Sequence, residues 1–329
     1  MESPPMTGTI LPKSPDVTQR PLALLLVLSA MALPTLTSVR AEQISFQLRD
    51  VPGQYLDVLA GDKIVARYQY AYDPSTPESL HETYKPYLHV MDAAGEMPIT
   101  KGAGGQFTHH RGIFIGWNKV EQDGKSYDRW HMKQGDIVHK QFENLQAGPG
   151  RAQFTSLTHW NKGPEDNGET LIREKRTMTF LPGTGPVRLV IDFASTLTPT
   201  GGTVRLNGDP EHAGVQFRPA DEVDRKRTQY LFPREGMDPR KDQDPAWVGE
   251  TFFLKGQPHS IVHVNHPRNP AGTLYSAYRD YGRFGAFFVT EIPEGESLTL
   301  RYRFLVIDGN LPDRELLGQL AEEFARKAD

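Results

Sequence analysis

Val187-Arg-Leu-Val-Ile-Asp-Phe193 sets Val187, Leu189, Ile191 and Phe193 against Arg188, Val190 and Asp192. A period of two marks a strand with one buried face. The same alternation occurs at Ile44-Ser-Phe-Gln-Leu48, Lys63-Ile-Val-Ala-Arg-Tyr68, Ala152–Leu157 and Thr177–Phe180, and closes with Ser297–Val306. Gly61-Asp62, between Tyr55–Ala60 and Lys63–Tyr70, reads as a two-residue hairpin turn. Pro182-Gly183, Gly185-Pro186 and Gly201-Gly202 punctuate the rest. One helix is predicted: Asp313 can cap Arg314–Lys327, where Leu316, Leu317, Leu320 and Phe324 form an apolar stripe. Many strands, one helix and no internal repeat predict an all-β fold, a large antiparallel β-sandwich (supersandwich) with a short C-terminal helix. The polar, Pro-bearing stretch 221–246 is expected to form a long surface loop over a site.

The chain has 329 residues, 37 Lys and Arg against 41 Asp and Glu, a net charge of −4, and no cysteine. Without cysteine there is no disulfide framework, thiol nucleophile, zinc finger or iron–sulfur site. The mild negative charge gives no reason to expect nucleic acid or an anionic membrane as partner. Lys13 and Arg20 precede an apolar run from Pro21 to Leu33, and Val39 and Ala41 stand at the −3 and −1 positions before Glu42. This is the layout of a signal peptide over residues 1–41, which implies a periplasmic or extracellular protein. The remaining 42–329 are expected as a single sandwich domain, and no later stretch approaches membrane-span length.

Three segments carry candidate chemistry. In Glu211-His-Ala-Gly-Val-Gln-Phe-Arg218, a strand would point Ala213, Val215 and Phe217 into a core. His212, Gln216 and Arg218 would share the other face around Gly214, a set that could bind a polyhydroxylated ligand with His212 as acid or base. In Phe107-Thr-His-His-Arg-Gly-Ile-Phe-Ile-Gly-Trp-Asn118, His109, His110 and Arg111 lead into an apolar strand, and His131 follows in Asp128-Arg-Trp-His131. The concentration of histidines between 109 and 212 leaves a divalent metal open as a cofactor, although no spacing matches a metalloenzyme signature. In the third segment, Asn265, His266 and Arg268 precede a turn that leads to Tyr278-Arg-Asp-Tyr-Gly282. Aromatic faces beside polar forks are what sugar sites require. No two of the carboxylates Glu211, Asp280, Glu291, Asp92 and Asp128 are set at a defined distance by the sequence, and no nucleotide-binding glycine loop is present.

Tyr84-Lys-Pro-Tyr87, Asp92-Ala-Ala-Gly95 and Thr108-His-His-Arg-Gly112 together resemble the opening of the bacterial PmoA-like family. His266-Pro-Arg-Asn-Pro270, Arg279-Asp-Tyr-Gly-Arg-Phe-Gly285, Gly295–Arg303 and Asp308-Gly309 extend the resemblance to the C-terminal half. One departure is Gln106-Phe-Thr108, where that family has an aspartate–proline lead into the histidine pair. The family's name points to a methane oxygenase subunit, which needs long apolar spans that this chain lacks after residue 41. The resemblance implies instead a β-supersandwich of the galactose-mutarotase type and a carbohydrate role.

The expected function is therefore a carbohydrate-active protein that cleaves or isomerises a glycoside or keto-sugar. His212, His110 and His131 are the candidate catalytic groups. His109, Arg111, Gln216, Arg218, His266 and Arg279 would bind substrate, and Trp117 or Tyr281 would stack on the ring. The alternatives are a non-catalytic sugar-binding module and a metal-binding periplasmic protein.

Overall fold

Alternation runs the full length of the strand Val187–Pro199, where every second side chain is buried. This computed structural model describes residues 44–165 and 168–326, so the expected signal peptide and Lys327 lie outside the described residues. Val187–Pro199 pairs with Thr170–Pro182 on one side and Leu298–Asp308 on the other. Around it lies an eight-stranded sheet in the order Gln229–Leu231, Trp247–Leu254, Gln257–Asn265, Leu298–Asp308, Val187–Pro199, Thr170–Pro182, Arg151–Asn161, Ile137–Gly148. A second eight-stranded sheet runs Phe46–Val51, Tyr55–Ala60, Lys63–Gln69, Tyr87–Val90, Ile113–Trp117, Ala213–Phe217, Phe284–Phe287, Leu274–Tyr275. Neighbouring strands are antiparallel, and the Gly61-Asp62 turn pairs Ala60 with Lys63 as the sequence predicts. The fold is the expected all-β sandwich. A four-stranded sheet, containing Lys119–Gln122, Lys125–Tyr127, Val204–Asn207 and Thr290–Ile292, extends one end.

One core joins the two large sheets. Ile113, Ile115, Trp117, Ala213, Val215 and Phe217 from the second sheet meet Phe154, Met178, Ile191 and Phe304 from the first. Burial of this apolar surface is the main driving force in a chain with no cross-links. The C-terminal helix Arg314–Ala325 is capped by Asp313, whose Oδ1 accepts from Leu316 N at 2.9 Å, and it buries Leu317, Ala321 and Phe324. A second helix, Pro77–Thr83, was not expected from the sequence. Thr76 caps it and Pro77 starts it, but it buries no side chain, so no apolar period betrays it. The stretch 221–246 is not one loop. The strand Gln229–Leu231 divides it and pairs with Trp247–Leu254. Among the described residues no helix is long and apolar enough to cross a membrane.

A fully buried ion pair ties the sheets together. Arg176 donates to Glu174 through Nε (2.8 Å) and Nη2 (2.7 Å), and reaches across to Pro86 O at 3.2 Å. Glu174 also accepts from Trp160 Nε1 and Ser195 Oγ, both at 2.8 Å. Removing one member strands the other charge in the core. Glu174→Gln is expected to cost about 3–5 kcal/mol of unfolding free energy in chemical denaturation; a loss under about 1 kcal/mol is inconsistent with this arrangement.

Candidate active site

The face of the second sheet turned away from the core carries the candidate site. On Ile113–Trp117 the opposite-facing positions are Phe114 and Gly116, and Phe114 joins Tyr87 and Trp130 in a separate apolar cluster. Gly116 is a contact requirement: a Cβ there would collide with Arg129 O. The segment 128–132 therefore lies directly on the sheet. Gly214, at φ +86°, faces Ala286 O in the same way from the other side and opens the face beside His212.

Three chain segments then converge. His109 and His110 come from the approach to Ile113–Trp117, His131 from the segment over Gly116, and His212 from the residue before Ala213–Phe217. Ring centroids are 4.4 Å apart for His109–His110 and for His109–His131, 5.1 Å for His131–His212 and 6.5 Å for His109–His212. His131 Nδ1 donates to Asp128 Oδ2 at 2.8 Å, and His212 Nδ1 donates to Asp209 Oδ1 at 2.9 Å. A carboxylate at Nδ1 must be met by N–H, so each neutral ring keeps its lone pair at Nε2. His131 is 26% exposed and His212 34%, so both can be reached.

The aspartates are themselves held. Asp128 accepts from the backbone N–H groups of Trp130 (3.0 Å) and His131 (2.8 Å). Burial pushes its carboxyl up, but the hydrogen bonds from His131 and Trp130 outweigh this and keep it below the usual range. Asp209 accepts from Asn118 Nδ2 at 3.0 Å. There too burial raises and the His212 contacts lower, with a net depression. Neither aspartate was a site candidate paired with its histidine in the sequence reading; the i,i+3 spacing Asp–x–x–His at both places is the signal that could have found them.

His109 and His110 are neutral. Burial first, then Lys85 and the neighbouring His131 and His212, drive His109 down to about 2. Burial first, then Arg283, holds His110 far below the ordinary histidine value. Neither His109 Nε2 nor His110 Nδ1 has a hydrogen-bond partner.

A cleft of about 520 Å³ opens beside His212, lined by Asp209, Glu211, Pro239, Arg240 and Tyr278. Arg279 pairs with Glu211 at its margin, and Tyr278 donates to Glu211 at 3.1 Å. Gln216 is fully buried in the floor, where its Oε1 accepts from Ser276 and from Arg283 Nη1, both at 3.1 Å. It orients Arg283 and has no free hydrogen-bonding edge for a sugar.

Several expected substrate contacts are structural. Arg111 is fully buried and donates to the carbonyls of Thr108, His110 and His81, which staples the histidine loop to the helix Pro77–Thr83. Arg218 donates to Pro219 O and Tyr281 O and pairs with Asp221, so it holds a loop. Trp117 lies in the inter-sheet core between Trp160 and Phe288. Tyr281 is buried under Phe107 at 4.8 Å and forms a wall. His266 lines a different cleft and meets Phe324 edge-on at 5.2 Å, away from the other histidines. Phe107, passed over in the sequence, is the exposed ring: 39% accessible, 5.2 Å from His110, with φ at +52°. Met132 and Gln134, just beyond His131, share that left-handed conformation. Backbone strain thus gathers on both histidine loops.

Among the described residues, no group of three His, Asp or Glu is placed to hold a metal ion. The divalent metal that the histidine content left open has no such ligand group among the described residues.

Residues 55–322 match a family described as a family of unknown function, DUF6807. That description carries no function, so the PmoA-like resemblance rests on its motifs alone. No curated protein matches the sequence. A solved protein from the human microbiome, described as a kojibiose phosphorylase, is similar over 87% of this chain at 9% identity, with a TM-score of 0.37; the chain spans 34% of its length. A solved Escherichia coli K12 protein, described as an aldose 1-epimerase, is similar over 80% of this chain and 99% of its own, at 11% identity and a TM-score of 0.31.

An unfolded histidine binds a proton near pH 6.5, whereas folded His109 refuses it down to about 2. Its contribution to stability is complete above about 6.5 and declines as pH falls towards 2. The unfolding temperature is expected to drop between pH 7 and pH 5, and His109→Gln to flatten that drop. An identical pH profile in the variant would count against this burial.

Proposed function

We propose that this chain, which belongs to the family of unknown function DUF6807, binds a sugar at the histidine cluster and cleaves or isomerises it by imidazole acid–base chemistry. The observation that carries the reading is the pair His131 and His212, 5.1 Å apart, each backed by an aspartate and each accessible. A positioned imidazole works near its own pKa at neutral pH, either accepting or returning a proton.

The substrate that fits this pair is a keto-sugar or a keto-glycoside. Asp128 and Asp209 are committed to their histidines, and Glu211 to Arg279 and Tyr278. That leaves no acid–nucleophile pair of carboxylates for ordinary glycoside hydrolysis. A ketone acidifies the neighbouring carbon enough for an imidazole base. In a 3-keto-glycoside, one Nε2 takes the proton from C2, and the C–H electrons form the C1–C2 double bond. The C1–O bond breaks, and the leaving oxygen takes a proton from Nε2 of the second imidazole, which enters the step as the imidazolium. Without a leaving group, return of the proton to carbon gives isomerisation. Phe107 offers its exposed ring to the C–H face of the sugar. The reading includes export, supported by the Pro21–Leu33 run and the Val39–Ala41 site.

Purified protein is expected to convert 3-keto-glycosides and to leave the parent glycosides unchanged. His212→Ala and His131→Ala should each lower the rate by about 10²–10⁴, and Asp209→Asn by a smaller factor through ring misorientation. Equal turnover by wild type and His212→Ala would remove that residue from the reaction. Saturable sugar binding without any product would favour a non-catalytic sugar-binding module.

A further inference from the structure

Most charged groups around the histidines have partners. Asp128 and Asp209 accept from His131 and His212, Glu211 pairs with Arg279, and Asp221 pairs with both Lys101 and Arg218. Glu250, fully buried and without hydrogen bonds, is pushed up by burial towards its neutral form, against the pull of Arg218. Among the described residues, two arginines near the cluster have neither a carboxylate nor a backbone carbonyl on the guanidinium. Arg283 is 1% exposed; it donates only to Gln216, its Nε has no partner, and its guanidinium lies 5.7 Å from the Trp130 ring. That ring stands 6.2 Å from both His110 and His212. Lys85, 2% exposed, donates Nζ to Trp130 O at 2.8 Å, and burial pushes it, like Glu250, towards its neutral form. Arg240 is the reachable one. It lines the cleft beside His212 with its guanidinium 3.8 Å over the Tyr278 ring. Among the described residues, neither arginine has a carboxylate within salt-bridge distance.

We propose that the site takes a sugar bearing a carboxylate, a uronic acid or its glycoside, with Arg240 contacting the carboxylate and the buried Arg283, which has no carboxylate partner, supplying positive charge near the histidines. This rests on the sugar-binding reading above and narrows it. Buried charges without counter-ions are costly, and an anionic ligand supplies the missing partner. Arg240 stacked on Tyr278 presents a planar fork to a planar carboxylate. Burial first, and positive neighbours including Arg283 second, disfavour protonation of His109 and His110.

Calorimetry with wild-type protein should compare galacturonate with galactose, glucuronate with glucose, and galactose 6-sulfate as a second anion. The uronates are expected to bind at least about tenfold more tightly than their neutral counterparts, with the preference shrinking at high salt. Arg240→Gln, an exposed substitution that should fold normally, is expected to remove most of that preference, read as the ratio of uronate to neutral-sugar affinity within the variant. Arg283→Met, checked for folding by its melting temperature, should reduce it as well. Binding of neutral sugars and uronates with equal affinity overturns the carboxylate assignment alone. Tighter binding of the sulfate than of either uronate also overturns it, in favour of another anion. Binding of none of these sugars overturns this inference alone if the same protein converts 3-keto-glycosides, and overturns the sugar-binding reading as well if it neither binds nor converts them.

Discussion

The buried guanidinium of Arg129 holds the site together. Its Nε donates to Asn161 O at 2.6 Å, Nη1 to Asp128 O at 2.7 Å, and Nη2 to Lys162 O at 2.8 Å. Two of those carbonyls belong to the far end of the strand Arg151–Asn161 and the turn after it, and the third to the segment that bears His131. One side chain thus anchors a loop of one sheet to a strand of the other. Burial pulls this guanidinium down to about 10, against the raising influence of Asp136 and Asp128, so it still carries its charge at neutral pH. With the anchor in place, the backbone of residues 129 and 130 can rest on Gly116, and His131 arrives beside His109 and His212.

Two kinds of histidine result from that placement. His131 and His212 each keep a carboxylate partner and part of their surface in solvent. His109 and His110 are shut in, first by burial and then among cations, and stay neutral. A neutral imidazole has one N–H and one lone pair. The two environments differ by burial, with no change of residue type. The strained residues Phe107, Met132 and Gln134 sit on the same loops, where the surrounding hydrogen bonds hold conformations that L-residues rarely adopt.

The arginines show why residue type alone misleads about function. Arg111 and Arg218 look like ligand forks in sequence, yet their hydrogens are consumed by backbone carbonyls and Asp221. Arg283, inside the stretch Arg279–Gly285, and Arg240 carry no sequence mark of a ligand fork, and neither has a carboxylate within salt-bridge distance. Trp117 follows the same rule. Expected to stack on a sugar ring, it lies with Ile113 and Ile115 in the inter-sheet core.

Local pattern was enough to determine the architecture. A period of two, the Gly61-Asp62 turn and the Asp313 cap are short-range features, and strands, hairpin and C-terminal helix all follow from them. The face that Gln216 shares with the approach to His212 was legible for the same reason, since side chains on a strand alternate without reference to anything distant. The meeting of His109, His131 and His212 was not. It requires strands separated by about a hundred positions in the chain to lie side by side, and a loop to cross a glycine at a distance no local rule specifies. Which cations are paired, which rings are reachable and which carboxylates are spent are properties of neighbours in space, and those are decided only when the two sheets close on their common core.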